Sequence, residues 1–147
     1  MGRRWLIAVV ALSLLAGARP AVACSCVPFT KTQLGENAAI VFTGVVTGAS
    51  RPFPSFGPGG CTASTADPVT FSFTVETVYK GDVRTSTAVT TAVAGPSCGY
   101  EFVAGKRYTV FATTTGGRLE TNLCRGNVEG TIAPADYGLG SGRAPRA

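Results

Sequence analysis

Histidine is missing from all 147 residues, and that one absence removes a large share of enzyme chemistry. Without it the chain has no Ser-His-Asp triad, no Cys-His dyad and no imidazole for a metal. The cysteines include no CxxC pair, so a zinc finger is excluded as well. Charge is scarce: Asp, Glu, Lys and Arg make up 14% of the sequence, and the acidic residues form no pair or motif suited to general acid-base work. The chain is therefore expected to have no enzymatic activity and no cofactor of its own. Basic residues such as Lys80, Arg84, Lys106, Arg107 and Arg118 are spread among acidic ones. That is the pattern of a solvated surface, and it argues against nucleic acid as a partner. Tryptophan occurs once, as Trp5, outside any segment that reads as core.

What is present begins at the N-terminus. Arg3 and Arg4 precede an apolar run from Trp5 to Ala16, and Ala21-Val22-Ala23 has the small-x-small form of a cleavage site. Residues 1–23 read as a signal peptide, and the mature chain is expected to be secreted, with Cys24 as its first residue. As a helix the apolar run is about 18 Å long, short of the roughly 30 Å hydrocarbon core of a bilayer. Loss of Arg3, Arg4 and Arg19 with that segment lowers the formal net charge from +5 to +2, too little to select a polyanionic partner. All 5 cysteines, Cys24, Cys26, Cys61, Cys98 and Cys124, lie beyond residue 23. In an oxidising compartment their number predicts two disulfides and one remaining thiol.

The mature part reads as a single all-β domain. Ala38 to Gly48, AAIVFTGVVTG, is β-branched and bounded by glycine, as a strand buried on both faces would be. Ser50 to Pro68 is dense in Pro, Gly and Ser and reads as a long loop. Val69 to Lys80 alternates, with Val69, Phe71, Phe73, Val75 and Tyr79 on one face and Thr70, Ser72, Thr74, Glu76 and Lys80 on the other. Lys80-Gly81-Asp82 supplies a turn into a Thr/Val-rich strand over Arg84 to Val93. Lys106 to Thr115 is a fourth strand, and Gly116-Gly117 turns it into a fifth over Arg118 to Leu123. The only helix expected is Thr30 to Ala38, broken by Gly35. Five antiparallel strands of this length need to close on themselves to hide their edges, which favours a five-stranded Greek-key OB-fold barrel. An immunoglobulin-like sandwich would want about seven strands and usually a core Trp. Domain organisation is then 1–23 signal peptide, 24–130 barrel and 131–147 disordered tail, the last from its Gly, Ala and Pro content.

Three stretches, CSCVP at Cys24 to Pro28, SCGYEFVAGKRYTVFA at Ser97 to Ala112 and GGRLETNLC at Gly116 to Cys124, together resemble the N-terminal domain of the tissue inhibitors of metalloproteinases, within the netrin-like module group. The resemblance implies an OB-fold, a Cys24–Cys98 bridge and a Cys26–Cys124 bridge. It also implies a mechanism, in which the α-amine and carbonyl of Cys24 chelate the catalytic zinc of a target metalloprotease. Ser25 would enter the protease's primary specificity pocket, Val27 and Pro28 would lie along its cleft, and Ser97, Cys98 and Gly99 would complete the contact ridge. The pattern departs from the family in having no cysteine between Val27 and Ala39, no C-terminal subdomain of further bridges, and an extra Cys61 in the Pro/Gly-rich loop.

Other readings remain open at this level. The barrel could be a non-inhibitory secreted module that binds through its face and the Ser50–Pro68 loop, where Phe53 and Phe56 are either exposed anchors or core residues. Ala21-Val22-Ala23-Cys24 also admits lipoprotein processing, which would acylate Cys24 and anchor the chain to a membrane surface. Val27 and Pro28 also suit a plain linker into the helix. Cys61 is a free thiol, an intermolecular bridge or a competitor for Cys24.

Overall fold

The computed structural model describes residues 24–51, 55–57, 60–62, 68–94 and 97–147, with 55–57 and 60–62 described by backbone alone. The expected signal peptide, Phe53, and the side chains of Phe56 and Cys61 lie outside the described residues. The elements are helix α1 (Lys31–Asn37) and strands β1 (Ile40–Ser50), β2 (Ser55–Gly57), β3 (Gly60–Thr62), β4 (Val69–Lys80), β5 (Ser86–Thr91), β6 (Arg107–Thr115), β7 (Arg118–Glu120) and β8 (Val128–Glu129). In the sheet β1 neighbours β4, then β5, β7 and β6, and β6 pairs back onto β1. The result is the expected closed barrel of five strands, in OB-fold order. One pairing differs from expectation: β5 and β7 run parallel, Val89 beside Leu119 and Thr90 beside Glu120. The β6–β7 hairpin reverses the chain onto the free edge of β5, and closure requires that edge to be met whatever its direction. Outside the barrel, β2 and β3 form a small hairpin within the expected loop.

The alternation of β4 holds as far as Glu76 and then inverts, so that Val78 is buried and Tyr79 is not its inward neighbour. The cause is in the pairing with β1. Thr43 opposes Thr77 and Gly44 opposes Val75, which leaves Glu76 as an extra residue, and a second irregularity leaves Tyr79 between Val78 and Lys80. A bulge moves every following side chain to the other face. Phe42, Phe73, Val75, Val78, Val89 and Val110 consequently fill the barrel. The β5–β6 loop sends Phe102 among them, with ring centroids 5.1 Å from Phe73, 5.1 Å from Tyr108 and 5.2 Å from Phe71, all edge-on. Each such pair adds about 0.5–1.5 kcal/mol beyond burial.

As the sequence suggests, β1 is buried on both faces. Val41 points out of the barrel into a second apolar cluster with Ala38, Phe111 and Tyr137, flanked by Leu34, Tyr79, Ile132 and Leu139. This cluster corrects two expectations. Gly35 does not break the helix: α1 runs through it, and a Cβ there would stand 2.1 Å from the Tyr137 carbonyl oxygen, so glycine serves a close approach. The segment 131–147, expected as a disordered tail, is docked. It forms a short 3-10 turn at Pro134–Tyr137 and exchanges backbone hydrogen bonds with β4 through Arg143 and Val78 at 2.8 and 2.9 Å. Farther on, the Arg146 carbonyl accepts from Thr85 N–H at 2.7 Å. Composition suggested a coil, but Ile132, Tyr137 and Leu139 bring enough apolar surface to offset the ordering cost.

Candidate functional site

The N-terminal strap, residues 24–30, has no regular structure of its own and ends where Thr30 caps α1. The Thr30 hydroxyl accepts from Gln33 N–H, and the Gln33 side-chain oxygen accepts in turn from Thr30 N–H at 2.9 Å, a capping box that starts the helix abruptly. Two disulfides hold the other end: Cys24–Cys98 with Cα atoms 5.5 Å apart and Cys26–Cys124 with Cα atoms 5.3 Å apart. These are the pairings the resemblance implied. They close loops of 74 and 98 residues, so each removes much chain entropy from the unfolded state.

Both anchor points are themselves fixed, and to each other. Leu123 N–H donates to the Cys98 carbonyl at 2.9 Å. Cys124 sits in a 3-10 turn, Leu123–Arg125, whose start is capped by the Asn122 side chain accepting from Cys124 N–H at 2.9 Å. Asn127 ties that turn to β6, its oxygen accepting from Phe111 N–H at 2.9 Å and its nitrogen donating to the Thr121 hydroxyl at 2.9 Å. On the other side Cys98 has φ of 58°, a left-handed backbone that costs a side-chain-bearing residue about 1–2 kcal/mol. Its neighbour explains how that conformation is held. Gly99 N–H reaches the Val93 carbonyl at 3.2 Å, and a Cβ on Gly99 would lie 1.7 Å from the Ala92 carbonyl oxygen. Only glycine permits this approach.

The bridges therefore bring together the residues singled out in the sequence. Cys24 is tied to the segment containing Ser97 and Cys98 and Cys26 to the adjoining turn at Cys124, with Ser25 between them, while Val27 and Pro28 continue along the surface. Ser25, Cys26, Val27 and Pro28 are exposed, and Cys24, Ser97 and Cys98 are half-buried. Two residues were missed. Phe29 at 46% and Leu123 at 49% relative exposure join Val27 at 69% as large apolar side chains left open to solvent. Val27 and Leu123 flank the same bridge, on opposite partners. Adjacency to a bridged cysteine is the one sequence signal for Leu123. The strap carries no charged residue between Cys24 and Thr30, so whatever it meets is met through shape, apolar contact and backbone groups.

Elsewhere among the described residues, a hollow of about 340 Å³ lies on the outer face of β4, β5 and β7, where Pro68, Thr70, Thr87, Thr90 and Arg118 line it. It assembles hydroxyls and a guanidinium but no nucleophile beside a base. Among the described residues no group of three or more His, Cys, Asp or Glu side chains is placed to hold a metal ion, and no helix is long and apolar enough to cross a membrane. The two bridges are those of a protein that matures outside the reducing cytosol. No protein-family model matches the chain, and no curated protein matches it in sequence.

Proposed function

We propose that the chain, secreted and trimmed to begin at Cys24, is an inhibitor of zinc metalloproteases akin to the N-terminal domain of the tissue inhibitors of metalloproteinases, with no catalysis of its own. One observation carries the reading: the cysteines on either side of Ser25 are bonded to one end of a closed barrel, at two points that are hydrogen-bonded to each other, while the side chains from Ser25 onward stay exposed. A strap held in this way loses little further freedom on binding, which is where a rigid inhibitor gains affinity.

Trimming converts the Cys24 nitrogen from a peptide amide to a primary amine. That amine and the Cys24 carbonyl would then form a two-donor chelate at the open site of a protease's zinc, in place of its water and with expansion to five-coordinate. An α-amine with a pKa of roughly 7.7 to 8 loses its proton to solvent at little cost near neutral pH, freeing the lone pair for zinc. Ser25 enters the specificity pocket, Val27 and Pro28 follow the cleft, and Ser97 with Cys98 forms the second wall of the ridge. The metal belongs to the partner.

Lipid anchoring competes with this reading at a single atom. Lipoprotein processing alkylates the cysteine with a glyceryl lipid, forming a thioether at its sulfur, and a sulfur bonded to Cys98 has no valence left for one. Intact mass of the exported protein decides the matter: the expected species begins at Cys24 with both bridges and no lipid. Adding one alanine before Cys24 then tests the chelate. Inhibition of a zinc endopeptidase is expected to fall at least about a hundredfold, about 2.8 kcal/mol, and inhibition unchanged by the extension would overturn the proposal. A module binding through its barrel face would be indifferent to that alanine.

A further inference from the structure

We infer that the C-terminal segment 131–147 is a positioning clamp for the N-terminal strap, acting through helix α1, with Tyr137 as its main contact. The strap has two ends. Its first residues are bonded to the barrel, but no cysteine lies between Val27 and Ala39, so the end that runs into α1 has no covalent tether. Noncovalent contacts converge there instead. The Tyr137 ring packs on Phe111 at 5.1 Å between centroids, and the Tyr137 carbonyl presses against Gly35 so closely that a Cβ there would be 2.1 Å away. Lys31, the first residue after the cap, pairs with Asp136 at 3.0 Å and lies 5.6 Å from the centre of the Tyr137 ring. From the barrel side Lys80 Nζ donates to the carbonyls of Gly35 and Glu36, both at 2.9 Å, closing the far end of the helix.

The C-terminal segment is fixed in turn at points remote from the helix. Arg143 is joined to Val78 by two backbone hydrogen bonds, and Arg146 is paired with Asp82 at 2.7 Å. A seven-residue helix is not stable alone. Without the clamp α1 keeps Leu34 against Gly126 and the Val41–Phe111 cluster, and the Lys80 bonds at its far end, but nothing among the described residues fixes its first turn to the barrel, and Val27 to Thr30 pivot about Cys26. The clamp thus sets the direction in which Val27, Pro28 and Phe29 leave the second bridge.

Backbone ¹⁵N relaxation of the mature protein with both bridges intact tests this without any protease. In Tyr137→Ala the order parameters of Val27, Phe29 and Thr30 are expected to fall from the rigid range near about 0.85 to below about 0.6, and exchange at the Leu34 and Ala38 amides to quicken at least about tenfold. Tyr137→Phe should restore both. Gly35→Ala reads the same contact from the helix side: it raises intrinsic helix propensity yet should loosen the strap, because its methyl displaces the Tyr137 carbonyl. Val89→Ala, a cavity in the barrel interior, lowers global stability and should leave strap order unchanged. Unchanged strap order in both Tyr137→Ala and Gly35→Ala, or equal loosening in Val89→Ala, would refute the clamp. The consequence for inhibition, about tenfold weaker in Tyr137→Ala, rests on the proposed function. If the strap loosens and no protease is inhibited by any form, the function fails and the clamp stands.

Discussion

The two ends of the described chain are attached to the same barrel by opposite means. Residues 24–30 are held by two disulfides and bury almost nothing, with Val27 and Phe29 facing water. Residues 131–147 contain no cysteine and are held by burial and hydrogen bonds, with Tyr137 8% exposed beside Phe111. A segment secured by sulfur does not have to spend its side chains on its own attachment, so they remain available to a partner. A segment secured by packing has used them. This contrast is the physical reason to look for function at the first end and support at the second.

The strongest way to break the contrast is to remove the covalent attachment. Cys26→Ser with Cys124→Ser, in a Cys61→Ser background to prevent exchange, is expected to cost about 3 to 4 kcal/mol in the chain-entropy account, because the remaining Cys24–Cys98 bridge already shortens the loop that the second one closes. The measurement is the urea midpoint at constant m. A loss near 1 kcal/mol would mean that contacts, not sulfur, hold the strap. At the other end, Tyr137→Ala should cost about 3 kcal/mol as a truncated buried aromatic, and Tyr137→Phe less than about 1 kcal/mol, since its hydroxyl has no hydrogen-bond partner among the described residues.

Between the ends lies the hinge on which the first bridge depends. Gly99→Ala forces a methyl into the Ala92 carbonyl and is expected to cost about 1–3 kcal/mol, as overpacking does. It should also make the Cys24–Cys98 bridge easier to reduce than Cys26–Cys124, as judged by thiol trapping over a glutathione series. The exposed residues sharpen the contrast from the opposite direction. Val27→Ser and Leu123→Ser should alter stability by no more than about 0.5 kcal/mol, yet weaken inhibition about tenfold each. Equal and small effects on both would leave the ridge without a role.

Much of this was legible in the sequence, and the boundary of what was legible has causes. Strand β4 announced itself by period two because one of its faces is buried and the other is wet. The inversion after Glu76 was invisible because a bulge is a property of the pairing with β1, not of β4 alone. The both-faces burial of β1 could be read from its β-branched run, but what covers its outer face could not, since Tyr137 is almost a hundred residues away in a stretch rich in Gly, Ala and Pro. Gly35 reads locally as a breaker, and only the Tyr137 carbonyl across from it explains its presence. The two bridges were legible through likeness of motif, whereas spacing alone would have left the partners undetermined. Leu123 had only its adjacency to Cys124 as a signal, and its place beside Cys98 emerged with the turn.

The smallest expected effect concerns the wall between the two ends. Strand β1 lies between β4 and β6, and the side chains of Glu76 and Arg107 meet across it in a two-pronged ion pair at 2.6 and 2.8 Å. Hydrogen bonding from the Arg107 guanidinium holds the Glu76 carboxyl below the usual carboxylate range, with a partial offset from burial. A carboxyl whose folded pKa lies below its unfolded value of about 4.3 contributes stability that is complete above that value and is lost as pH falls through the folded pKa. Both side chains are more than a third exposed, at 49% and 37%, so solvent and salt screen the pair and the contribution is small. The urea midpoint of the parent protein should therefore be insensitive to this pair between pH 6 and 8 and decline below pH about 4, whereas Glu76→Gln should start slightly lower and decline less. Parallel declines would show that the bulge at Glu76 is held by the barrel's backbone pairing without help from charge. In that case the wall would resemble neither end: it would owe its geometry to neither sulfur nor side-chain contact, and its register to β1 alone.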